Sequence, residues 1–133
     1  MSFQKAEISS PASYAPIVKQ TRYNQILKVG NRIDISGQGG WSSTIPEDGY
    51  KFEYKSLEEE IEQAFKNVEL VLNSVGACWK NVKSVTSYHT NLEDTRKNIW
   101  KSSLSGLSLV LKHLKNRRCM SRLLFLLFLT NKK

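Results

Sequence analysis

At 133 residues, with 40% apolar and 24% charged side chains, the chain has the composition of one globular domain, not of a disordered segment. A chain of this size buries roughly two-thirds of its unfolded surface, so it needs neither disulfides nor a metal to hold a core. The net charge of +8 points to nucleic acid only until it is divided along the sequence: residues 1–99 hold 12 basic and 12 acidic residues, whereas residues 100–133 hold eight basic residues and no acid.

Residues 1–22 carry Pro11 and Pro16, which argue against a helix and for an edge strand or an irregular arm. Gln25 to Val29 leads into Gly30-Asn31, a turn pair that tolerates positive φ, and Arg32 to Ser36 then alternates polar and apolar residues. The pattern predicts a hairpin over 25–36. Gly37-Gln38-Gly39-Gly40 opens a long loop through Pro46 and Gly49 that contains Trp41, Tyr50, Phe52 and Tyr54. Four aromatics in one loop either rim a cleft or pack a subunit interface, and the interface is the better reading because loops rarely leave so much apolar area exposed.

Ser56 and Glu59 then form a capping-box pattern, with Glu58, Glu59 and Glu60 placing negative charge on the positive end of a helix. Leu57, Ile61, Ala64, Phe65, Val68, Leu72 and Val75 recur at spacings of three and four, and Gly76 supplies a left-handed stop. A helix over 56–75 packs on the sheet through Ile61, Phe65, Val68 and Leu72. Val82 to Thr90 is β-branched and alternating, which predicts a third strand. Asn91 to Asp94 reads as a turn, and Asp94 as the cap of a second helix reaching Trp100.

After Trp100 the composition changes. Residues 100–133 hold ten leucines against five in the first 99, and no proline or tyrosine. Three readings of residues 101–133 stay open: a frame-shifted ending, a divergent pair of closing strands in Leu107–Leu111 and Leu123–Thr130, or a basic amphipathic segment at a membrane surface. The longest apolar run, Leu123 to Leu129, has seven residues, far short of the roughly 20 that span a bilayer.

The order β-β-α-β-α, with Tyr23-Asn24-Gln25, Ser36-Gly37-Gln38 closing the second strand and VKSVTSYHTNLED as third strand and turn, resembles the Rid family. These are the RidA/YjgF-type reactive-intermediate deaminases, also known as L-PSP endoribonucleases, and the resemblance covers about residues 20–100. It implies a single α+β domain of the chorismate-mutase-like kind, with helices packed on one face of a sheet, residues 101–133 standing where the family has its closing strands. It further implies a homotrimer with ligand clefts between subunits. The implied reaction is hydrolysis of a small 2-enamino or 2-imino acid to a 2-keto acid and ammonia. No cofactor is implied, because the imine is already electrophilic.

Carried over by residue, the resemblance makes Tyr23, Ser36 and Gly37 substrate-binding. Arg117, in Arg117-Arg118-Cys119, falls near the position of the family's carboxylate-binding arginine, without its preceding proline. The family's water-positioning glutamate has no counterpart, since no acid follows Asp94. Catalytic residues therefore stay unassigned and competence is in question.

Other signals carry less. Gly37-Gln38-Gly39-Gly40 leads into a loop rather than a helix and has no P-loop lysine. His89 and His113 are isolated from other ligand types, so no metal site is expected. Cys78 and Cys119 form no framework; Cys78 reads as a partly buried, inert thiol and the setting as a reducing cytoplasm. The N-terminal ten residues lack the apolar core of a secretory signal. The alternative function is a non-catalytic trimeric scaffold, RNA-binding or endoribonuclease-like through Lys112, Lys115, Arg117, Arg118 and Arg122.

Overall fold

Alternation, capping and turn chemistry build most of the chain as the sequence predicts. The computed structural model describes residues 2–53, 55–89, 91 and 93, together with the backbone of 108–113 and 123–130. Strand β1 is Ala6–Ser9, β2 is Ile26–Val29 and β3 is Arg32–Gln38. The last two form the expected hairpin, closed at the Val29 and Arg32 pair around Gly30-Asn31. Helix α2 spans Leu57–Asn73 and β4 spans Val82–His89. The helix expected after Asp94 lies outside the described residues.

The expectation for the N-terminal residues fails. Residues Ala15–Thr21 form a helix, α1, preceded by a 3-10 turn at Ala12–Tyr14. Pro16 sits in its first turn, where no intrahelical hydrogen bond is lost and the fixed φ suits the helix. The two prolines thus mark a helix start rather than excluding one. Arg22 ends α1 in the left-handed conformation at φ 56, which brings Tyr23 out of the helix towards β2.

Of the readings open for the basic segment, the structure has two of its stretches as strands, β5 (Ser108–His113) and β6 (Leu123–Thr130). The sheet runs β1-β2-β3-β6-β4-β5, antiparallel except for the parallel β4–β5 pair. The last strand in sequence is therefore central, joining the hairpin to β4.

The core lies on one face of this sheet. Ile26, Ile33, Ile35, Val82 and Val85 meet Ile61, Ala64, Val68, Val71 and Leu72 of α2, with Tyr14 and Ile17 filling the same cluster. Phe65 departs from the expected stripe: it is only partly buried and pairs with Trp79, ring centroids 5.5 Å apart. Ser56 caps α2 by accepting from Glu59 N at 3.2 Å. The return bond shifts by one residue, since Glu59 Oε2 accepts from Lys55 N at 2.7 Å. Gly76, at φ 70, turns the chain past the helix end. Among the described residues no helix is long and apolar enough to cross a membrane.

Candidate functional site

Strand β3 does not hold its alternation to the end. Its pairing with β6 slips between Ile35 and Gln38, three steps on β3 matching two on β6 (Leu127 to Phe125). That bulge turns both Gly37 and Gln38 inwards, so both are buried. The loop beyond it is fastened to α2. Asn67, fully buried, donates from Nδ2 to the carbonyls of Gly39 at 2.8 Å and Trp41 at 2.7 Å. Its Oδ1 accepts from Ser43 Oγ at 2.9 Å and Gln63 Nε2 at 3.2 Å. Gly40 passes so near α2 that a Cβ there would come within 2.6 Å of Glu60 Cγ and 2.8 Å of the Glu60 carbonyl oxygen. Only glycine permits that approach.

The bulge, the end of α1 and the fastened loop border an open pocket of about 430 Å³ lined by Thr21, Tyr23, Gly37, Trp41 and Tyr50. That volume suits a small molecule. Tyr23 is 41% exposed at its mouth, while Trp41 is 6% exposed and lies against Tyr50 with centroids 4.6 Å apart. Trp41 is thus mostly covered within its own chain and faces the pocket, whereas Tyr50 is half-buried. Phe52 also packs against the core, and Tyr54 lies outside the described residues.

The sequence-derived site residues fall as follows. Tyr23 and Gly37 face one pocket. Ser36 flanks it without lining it; its hydroxyl donates to the Asn24 carbonyl at 2.7 Å and its N–H to the Gln25 carbonyl at 2.9 Å. Arg117 lies outside the described residues. Sequence reasoning missed Thr21, whose hydroxyl donates to Ile17 O and accepts the Tyr23 N–H, pinning the turn into the pocket. It also missed Tyr14, Gln25 and Gln38, buried polar residues behind the pocket. The only sequence signal for the glutamines was their place beside Tyr23 and Gly37. Cys78, expected to be partly buried, is exposed, and His89 is buried with Nε2 2.8 Å from Ser87 Oγ.

Among the described residues, none that lines the pocket carries a formal charge. Burial pushes the Tyr50 phenol above its ordinary pKa, with the neighbouring Tyr23 adding to the shift. Tyr50 is therefore a hydrogen-bonding group at neutral pH and not a base. The pocket offers aromatic faces, hydroxyls and the Gly37 backbone, which suits a flat, small molecule.

A mixed sheet with its described helices on one face and a pocket at a strand bulge defines the class: an α+β domain. The Endoribonuclease L-PSP family matches residues 14–109, and the chain belongs to that family, the Rid family. It is 33% identical over 87 residues to a RutC family protein of Aquifex aeolicus, covering 65% of this chain and 63% of that one. It is 34% identical over 85 residues to Reactive Intermediate Deaminase A, chloroplastic, of Arabidopsis thaliana, covering 64% of this chain and 40% of that one. The chain thus spans less than two-thirds of the length of these curated relatives. Its fold is similar to the solved structure of the protein YJGH, with a TM-score of 0.78 at 19% identity over 96% of this chain and 97% of the other. The fold is the chorismate-mutase-like one expected from the sequence.

Proposed function

We propose that the pocket binds a small 2-imino or 2-enamino acid and that the chain descends from the deaminases that hydrolyse such compounds. The observation that supports this is the meeting of Tyr23 and Gly37, from separate elements, on one pocket beside Ser36. In the reaction, water adds to the imine carbon, the carbon–nitrogen bond breaks, and ammonia leaves a 2-keto acid. The planar, conjugated substrate matches the Trp41 and Tyr50 faces. Arg117 is the cation proposed for its carboxylate, since a guanidinium meets both oxygens. The described lining holds no base and no acid follows Asp94 in the sequence, so turnover is expected below that of a relative with a carboxylate at the water.

The assay couples the chain to a threonine dehydratase and follows 2-ketobutyrate release. Release faster than in buffer is expected, with the KM rising roughly tenfold or more in Arg117→Ala as a charge-assisted contact is lost. Release at the buffer rate at every protein concentration would end the enzymatic reading.

A second reading, of a non-catalytic trimer with affinity for RNA, draws on the eight cations and no acids of residues 100–133. RNA binding that weakens steeply with salt, and that Arg118→Gln with Arg122→Gln abolishes, is its signature. In either reading we propose a homotrimer with clefts shared between subunits. Ile8 and Leu27 support it: they pair across β1–β2 on the face away from the core and are 63% and 38% exposed.

A further inference from the structure

Behind the pocket, four side chains form one hydrogen-bonded line. Trp41 Nε1 donates to the Tyr14 hydroxyl at 3.1 Å, and that hydroxyl donates to Gln38 Oε1 at 3.1 Å. Gln38 Nε2 donates to Gln25 Oε1 at 2.5 Å and to the Ser36 carbonyl at 3.1 Å. Gln25 Nε2 donates to the Tyr23 carbonyl at 3.1 Å. Tyr14, Gln25 and Gln38 are all 0% exposed.

The chemistry of the two ends fixes every hydrogen between them. An indole nitrogen only donates, and a backbone carbonyl only accepts. The Tyr14 hydroxyl must therefore accept from Trp41 and donate onward. Gln38 must present its oxygen to Tyr14 and its amino group to Gln25 and Ser36. Turning either amide over would set oxygen against oxygen and N–H against a donor. One proton arrangement is allowed. Apolar side chains of equal volume would fill this space without the cost of burying amides, so filling alone does not explain the glutamines. What the line adds is direction: it starts at the Trp41 ring on one wall, touches the Ser36 carbonyl in the β3 bulge, and ends on the carbonyl of Tyr23 at the other wall.

We infer that Tyr14, Gln25 and Gln38 are positioning residues that couple the Trp41 wall of the pocket to its Tyr23 wall. Their effect on substrate rests on the pocket being the deaminase site, but the coupling itself is visible without substrate. The test is Tyr14→Phe, which keeps the ring and removes the hydroxyl, observed by proton–nitrogen NMR. The Trp41 indole N–H is assigned with Trp41→Phe. The Asn24 amide, which shares its peptide with the Tyr23 carbonyl, reports the far end. Expected are solvent exchange of the Trp41 indole proton faster by on the order of fivefold, the loss of one net hydrogen bond, and a shifted Asn24 amide. The KM for the imine rises by a similar factor while kcat stays within about twofold. Gln38→Met, which keeps the shape and cuts the line at its centre, carries the same test if Tyr14→Phe does not fold. A well-dispersed spectrum with the Asn24 amide unchanged would overturn the coupling, whether or not the Trp41 indole moves. Collapse of both variants would assign the line to folding and overturn it too. Absence of turnover in the unaltered chain would overturn the deaminase reading alone, with the resonances still deciding the coupling.

Discussion

Tyr14 shows how much one buried hydroxyl governs. Burial is the main cause that pushes its pKa from 10.0 up to about 12, with the Tyr50 phenol adding to the shift and the Trp41 indole hydrogen bond opposing it. The folded state therefore holds this proton more tightly than the unfolded chain. The stability from a neutral Tyr14 is whole below pH 10, and is lost as pH rises from about 10 through about 12. The loss amounts to roughly 2–3 kcal/mol at one pKa unit per about 1.4 kcal/mol. Denaturant melts at pH 9 and pH 12 check it. Tyr14→Phe should start less stable and lose less over that interval, whereas equal losses in both proteins would show that Tyr14 does not titrate with unfolding. The same residue marks a limit of sequence reading. A tyrosine between two prolines shows no period, and its partners Gln38 and Trp41 stand 24 and 27 positions away.

At the scale of elements, α2 was legible because its signals are local. The cap, the acidic first turn and the apolar stripe all lie within its own sequence, and the helix begins one residue after its predicted cap at Ser56. Which apolar residues carry the packing was less legible. The stripe treats Phe65 and Leu72 alike, yet Leu72 is fully buried while Phe65 leans on Trp79 at the margin. Leu72→Ala should therefore cost about 2–5 kcal/mol by leaving a cavity. Phe65→Ala should cost less, despite removing more atoms, because water and Trp79 can close over the gap. Urea melts of the two variants decide it, and a larger loss in Phe65→Ala would mean that the Phe65–Trp79 pair belongs to the core. Helix α1 was missed for the opposite reason. Proline is read as a breaker, but its effect depends on position in the helix, and seven residues are too few to show periodicity.

The whole molecule turns on β6. Its seven-residue apolar run offers no alternation, so sequence reading left it open between a strand and other structures. It pairs with β3 on one side and β4 on the other, and without it the hairpin and β4 would be separate. The proposed trimer is tested on the outer face of the sheet. With Ile8 and Leu27 as an apolar contact, Leu27→Lys should lower the trimer fraction at micromolar concentration while leaving the melting curve of the protomer nearly unchanged, since a 38% exposed side chain contributes little to the core. Light scattering over a concentration series measures this. A monomer in the unaltered chain would remove the trimer, and with it the shared clefts.

The sequence by itself determined what is encoded within a few residues of itself. Hairpin register follows from a two-residue turn and alternation, α2 from its cap and period, and β4 from β-branched alternation. That Tyr23 and Gly37 stand near one another could be expected from the family pattern, which keeps them in short motifs beside those elements. Only the tertiary structure decided what depends on distant segments meeting. The bulge at Ser36-Gly37 is defined against β6, some 90 positions on, and it brings Gly37 and Gln38 to the same side. The closeness of Gly40 to Glu60, the Asn67 bonds to the loop and the line from Trp41 to Tyr23 are likewise contacts between elements. A buried amide reads in sequence like an exposed one. Its partners alone make burial tolerable, and they are chosen by packing, which no local period records.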